Sequence, residues 1–200
     1  PRSQEFRAQI VTGGGSHVGG TVYSGGALRG TYAPLPGMLI GVELGGGAKR
    51  NSAAQARRVA VDSQNPLERE TVLSGRLLVG YGFWLYRRTL AVAAEAGLTP
   101  GLHSEFGGFV GPDLTLSLTA GGHKWWALTL GYRIAYMIPS RDRDWSHALY
   151  HLDALTLLIP RRARYAGFLQ VGMHYGHLLH DTEETLGVIG IVGFRFAYGY

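Results

Sequence analysis

Thr185-Leu186-Gly187-Val188-Ile189-Gly190-Ile191-Val192-Gly193-Phe194-Arg195-Phe196-Ala197-Tyr198-Gly199-Tyr200 is the stretch whose reading decides the fold of this chain. Val188, Val192, Phe194, Phe196, Tyr198 and Tyr200 share one parity, while Gly187, Gly193, Arg195, Ala197 and Gly199 share the other. A period of two marks an extended strand with two unlike faces. Glycines at 187, 190, 193 and 199 argue against a helix, where each costs about 1 kcal/mol.

The bulky apolar residues lie on one face, and the other carries glycine, alanine and one arginine. An apolar outside over a small or polar inside is the pattern of a transmembrane β-barrel. The last ten residues resemble the closing strand of bacterial outer-membrane proteins, which ends in an aromatic residue preceded by alternating apolar positions. That resemblance implies that Phe194, Phe196, Tyr198 and Tyr200 form a membrane-assembly signal. It also implies contact with the barrel assembly machinery, outer-membrane lipids and lipopolysaccharide, within a Gram-negative envelope.

Composition agrees with a barrel. Charged residues are 16% of the chain, below the roughly 25% of soluble domains. Glycine reaches 31 residues and tyrosine 11. The longest run without a charged residue or histidine, 30–42, is broken by Pro34 and Pro36. It falls short of the roughly 20 residues a spanning helix needs, whereas a tilted barrel strand needs only about 9–11. The 200 residues suit a single domain, 1–200. No secretory leader is visible at Pro1-Arg2-Ser3, so the numbering is expected to be that of the mature chain. Cysteine is absent, which removes disulfide and thiol chemistry. The net charge of +5 comes from dispersed basic residues without the clustered stripe of a nucleic-acid binder, so nucleic acid is excluded as a partner.

Alternation predicts an all-β antiparallel barrel of ten strands, with eight or twelve as the alternatives. Short turns are expected at 33–36, 86–88, 121–124 and 160–162. Longer loops are expected at Gly13-Gly14-Gly15-Ser16-His17, at 48–70, at 99–112 (with a short strand inside it as the alternative), at 139–146 and at 177–184. Within the second of these, Arg57-Arg58-Val59-Ala60-Val61 has the pattern to extend a strand above the bilayer. An even strand number puts both termini on the periplasmic side, and long loops belong outside. Aromatic residues fall at the two strand ends, as girdles do: Tyr32, Tyr81, Phe83, Trp126, Tyr165, Tyr198 and Tyr200 near the turns, Tyr136, Tyr150 and Tyr175 near the loops.

The inward parity carries Arg7, Arg29, Glu43, Arg76, Glu95, Arg133, Asp153, Arg164 and Arg195. Isolated charges in a narrow lumen are costly, so these residues are expected to pair across strands or meet water. Ten strands stand near the closed end of the size range, while inward glycines and alanines leave space.

Two groupings bear on chemistry. Closing the eighth and ninth strands at Arg161 sets His151 opposite Val171 or Gly172 and Asp153 opposite Gln170, with His174 inward beside them. His147, His177, His180, Asp142, Asp144 and Asp181 would complete a rim. Histidine is the usual general base and a carboxylate orients it. The grouping resembles the omptin outer-membrane proteases, which are ten-stranded and use acidic residues with a His–Asp pair at the extracellular rim. The second grouping is Leu102-His103-Ser104-Glu105, a hint of lipid modification. Neither assembles a catalytic motif, metal signature or cofactor-binding motif. The leading expectation is therefore a non-enzymatic barrel, either a small pore or a membrane anchor that binds an envelope partner through its lumen, its first loop or the 48–70 loop. An outer-membrane hydrolase is the alternative.

Overall fold

The computed structural model describes residues 5–17, 21–51, 69–86, 89–104, 107–121, 126–140, 148–159, 165–178 and 184–199. Ten strands run in order: β1 (Glu5–His17), β2 (Thr21–Ala33), β3 (Met38–Asn51), β4 (Arg69–Tyr86), β5 (Leu90–His103), β6 (Gly107–Ala120), β7 (Ala127–Pro139), β8 (Ala148–Ile159), β9 (Tyr165–Leu178) and β10 (Glu184–Gly199). Each pairs antiparallel with its sequence neighbours, and β1 pairs with β10 to close the barrel. Closure satisfies every strand edge, which hydrocarbon requires because it offers no hydrogen-bond partner.

Exposure alternates along the wall as the sequence pattern predicts. Leu73, Leu77, Val79, Tyr81 and Phe83 of β4 are exposed, while Arg76, Leu78 and Gly80 between them are buried. Leu73 is 63% exposed, Leu130 56% and Phe194 50%. Among the described residues the buried apolar ones are only Ala33, Leu78, Phe109, Ala127 and Ala166. A continuous exposed band without a packed core is an aggregation surface in water and an ordinary surface in hydrocarbon. Tyr32, Tyr81, Phe83, Trp126, Tyr165 and Tyr198 are exposed near the turn end and form the girdle there. The Tyr165 ring stands 5.9 Å from that of Phe194 and 5.3 Å from that of Phe196.

The short turns hold where they are described. Met38 N donates to Leu35 O at 3.1 Å across the β2–β3 turn. Gly37 there has φ +84°, and a β-carbon would stand 2.7 Å from Gly82 O, so glycine is required. Thr89 N likewise returns to Tyr86 O at 2.8 Å.

Three expected loops are shorter than the sequence suggests. Gly13 to His17 lies in β1, paired with 187–191 of β10. Glycine is a weak strand former only when a side chain is needed to pack. Here the backbones approach closely: at Gly25, in register with Gly13, a β-carbon would lie 2.6 Å from Gly46 O. The 48–70 segment loses its ends to β3, which runs to Asn51, and to β4, which starts at Arg69. Residues 52–68 lie outside the described residues, and Arg57 to Val61 with them.

The third correction is the largest. Of residues 99–112, expected as a loop, 99–103 belong to β5 and 107–112 to β6, while 105 and 106 lie outside the described residues. Pro100 and Pro112 made this segment look irregular, since proline cannot donate to a ladder. The β4–β5 pairing lapses between Ser74 opposite Gly101 and Leu77 opposite Leu98, then resumes in the same register. The β6–β7 pairing lapses likewise between Val110 opposite Ile138 and Asp113 opposite Ala135. Each proline interrupts its ladder locally and the strand continues through it.

Candidate functional site

Register places an inward row across five neighbouring strands. Arg195 of β10 is opposite Gln9, Gln9 opposite Arg29, Arg29 opposite Glu43, and Glu43 opposite Arg76 of β4. Arg29, Glu43 and Arg76 alternate in sign along this row, which is favourable because directly opposed side chains are close neighbours. Beyond β4 a second group continues it: Glu95 of β5, Asp113 of β6 and Arg133 of β7.

Side chains link these positions into a belt. Arg29 Nη2 donates to Glu95 Oε1 at 2.8 Å and to Oε2 at 2.9 Å. β2 and β5 are three strands apart, roughly 14 Å along the wall at normal strand spacing, so this pair cuts a chord across the lumen. Arg76 Nη1 approaches Glu95 Oε2 at 3.5 Å. Arg76 then grips Asp113 with two nitrogens, Nε donating to Oδ2 at 3.0 Å and Nη2 to Oδ1. Asp113 Oδ2 also accepts from Thr99 Oγ1 at 3.0 Å and Arg133 Nη2 at 3.2 Å. Arg76 Nη2 donates further to Thr115 Oγ1 at 3.2 Å. The belt reads Arg29–Glu95–Arg76–Asp113–Arg133, and its ends on β2 and β7 are opposite each other in the ring of ten.

Burial varies along it. The Asp113 side chain is 0% exposed and that of Arg76 4%. Glu95, Arg29 and Arg133 are 19%, 25% and 26% exposed. A carboxylate without water is tolerable only when donors replace the lost hydration, and Asp113 has four. Gly97 makes room for this arrangement. It lies in register between Leu78 and Asp113, and a β-carbon there would stand 2.7 Å from both Arg76 Nε and Asp113 Oδ2. The arginine crosses β5 at Gly97, a position that has no side chain.

Of the residues expected in the lumen, Arg29, Arg76, Glu95 and Arg133 meet in this belt. Glu43 and Arg195 occupy its register row. Arg7 pairs with Glu5 at 2.9 Å near the turn-side mouth, apart from the belt. Arg164 lies outside the described residues. Asp113, Thr99 and Thr115 are the residues sequence reasoning did not assign to the network. Counting back by two from inward Thr115 reaches Asp113, but the expected loop at 99–112 hid the signal.

The expected His/Asp grouping is not assembled by the register. β8 and β9 pair with Ile159 opposite Gly167, a register different from closure at Arg161, so His151 is opposite Tyr175, Leu152 opposite His174, and Asp153 opposite Met173. His151 and Asp153 then occupy the row of Ile134 and Tyr132, the apolar parity of β7, and His174 the other. Asp153 is thus paired three residues further along β9 than expected, and such offsets arise where the length of the connection sets the register. Of the proposed rim, 141–147 and 179–183 lie outside the described residues. In the second grouping Ser104 Oγ accepts from Thr71 N at 3.0 Å and Ser104 N donates to Thr71 O at 2.9 Å, while Glu105 lies outside the described residues.

No protein-family profile matches the chain, and no curated protein matches it in sequence. Solved structures do. An outer membrane channel from Pseudomonas putida is 10% identical with a TM-score of 0.56, covering 99% of this chain and 96% of that one. LpxR from Salmonella typhimurium is 8% identical with a TM-score of 0.50, covering 95% and 99%. The outer membrane protease OmpT from Escherichia coli is 10% identical at a TM-score of 0.45, covering 97% of each chain, too low a score to argue from. At these identities the likeness establishes the fold, an outer-membrane-type transmembrane β-barrel.

Proposed function

We propose that this outer-membrane-type barrel is a narrow pore of the bacterial outer membrane, constricted midway by its charged belt. The observation that carries the reading is the water exposure of Arg29, Glu95 and Arg133 inside the lumen, at 25%, 19% and 26%. A structural plug would bury all its members as Asp113 is buried; a conduit leaves charge facing water. The fold shared with an outer membrane channel supports the same reading. On this proposal both termini face the periplasm, the longer connections face outward, and the apolar band meets outer-membrane lipid and lipopolysaccharide.

Single-channel recording on the full chain refolded into planar bilayers tests it. The parent barrel is expected to show small, discrete conductance steps. Glu95→Gln releases the Arg29 chord and is expected to enlarge them, with folding checked by heat-modifiable gel mobility. Silence in both proteins overturns the pore reading. A silent parent beside a conducting Glu95→Gln variant identifies the belt as a closed plug and favours the anchor reading instead.

A further inference from the structure

The belt alternates in sign and begins and ends on arginine, so its two carboxylates are interior links. Asp113 has no exposed surface, and Glu95 is held between Arg29 and Arg76. The water-facing ends are the guanidinium groups of Arg29 and Arg133, carried on β2 and β7, strands that stand opposite each other in the ring. Among the described residues Arg133 donates through Nη2, at 3.2 Å to Asp113 and 3.3 Å to Thr99, while its Nε is buried without a hydrogen-bond partner. Glu43 offsets part of this charge: it is in register with Arg29 and Arg76 and lies within electrostatic reach of Arg76 and Arg133. Arg195 extends the same row. At this level four arginines, 29, 76, 133 and 195, stand against three carboxylates, 43, 95 and 113.

We infer that the constriction selects small inorganic anions, with Arg29 and Arg133 as the specificity-determining residues. The inference rests on the pore reading and names what passes. A charged ring in a narrow, low-dielectric lumen concentrates the opposite ion locally, and the direct guanidinium–anion contact is made at the water-exposed ends. The effect acts over the Debye length, about 10 Å at 0.1 M salt and about 3 Å at 1 M.

The test is the reversal potential of the full chain in a bilayer of net-neutral phosphatidylcholine, under a KCl gradient from about 0.01 M to about 0.1 M. The parent is expected to reverse on the chloride side. Arg29→Gln and Arg133→Gln are each expected to lower the chloride-to-potassium permeability ratio about twofold or more, and Glu43→Gln to raise it. Opposite shifts from opposite charge removals separate selectivity from a mere change in barrel shape. Raising both salts tenfold is expected to erase the preference. A conducting parent that prefers potassium, or shows no preference, overturns the inference and leaves the pore standing. Shifts of one sign in Arg133→Gln and Glu43→Gln also overturn it. Silence in every variant overturns both.

Discussion

Replacing Gly97 by alanine adds one methyl group at the centre of the belt, and the consequence follows from distances. The new β-carbon would stand 2.7 Å from Arg76 Nε, 2.7 Å from Asp113 Oδ2 and 3.0 Å from Asp113 Oδ1. These atoms are side-chain ends, but they belong to a two-pronged pair with at most 4% exposure, so neither swings aside freely. Arg76 must lift off Asp113. Hydrogen bonds to charged groups contribute about 1.5–3 kcal/mol each, so losing both bonds bounds the cost at about 3–6 kcal/mol. Part is recovered, because Thr99 and Arg133 stay on Asp113 and Glu95 lies 3.5 Å from Arg76. The expected loss is about 2–3 kcal/mol, a fall of about 1 M in urea midpoint for a slope near 2–3 kcal/mol per M. The assay is equilibrium urea unfolding of the barrel in lipid vesicles, followed by tryptophan fluorescence. Gly75→Ala is the control: its β-carbon would meet Leu44 Cδ2 at an ordinary 3.5 Å, and its midpoint is expected to stay put. In an Arg76→Ala background Gly97→Ala is expected to cost little, since the obstructed side chain is gone. Equal midpoints for parent, Gly97→Ala and Gly75→Ala would refute the reasoning.

Two further outcomes follow from the same geometry. Asp113→Ala leaves Arg76 and Arg133 facing each other without their shared carboxylate and is expected to destabilise by about 3–5 kcal/mol in the same assay, more than Gly97→Ala. Leu116→Arg sets a charge on the outer face in mid-strand, where Leu116 is 49% exposed, and is expected to cost about 2–4 kcal/mol in vesicles; a cost near zero would mean that hydrocarbon does not cover that face.

Alternation made the wall legible, because a strand in a barrel has one lipid side and one lumen side and every residue must choose. Arg29, Arg76, Glu95 and Arg133 therefore fall on the inward parity of the sequence pattern itself. Asp113 escaped because Pro100, Pro112 and the glycines at 101, 107, 108 and 111 read as a connection. Composition speaks for local preference, but barrel closure holds a strand extended through residues that would end it elsewhere, at the cost of a few missing ladder bonds. The expected pairing of His151 and Asp153 differs from the observed one for another reason. Parity within one strand is local, whereas the register between β8 and β9 depends on how many residues the connection takes up, and composition does not count them. Arg76 crossing above Gly97 belongs to the same class, a three-strand relation that no single strand announces.

The pairing of β1 with β10 joins Glu5 to Gly199, the most distant partners in the described chain. That clasp forms only once all the intervening hairpins have been laid down, so it is an entropically expensive and late event in folding. Until then two raw ribbon margins stand open, each able to recruit a foreign strand. Cutting away β10 would leave those margins permanently unfastened, and such a truncated polypeptide should be captured by swapping with a second copy instead of persisting alone in lipid.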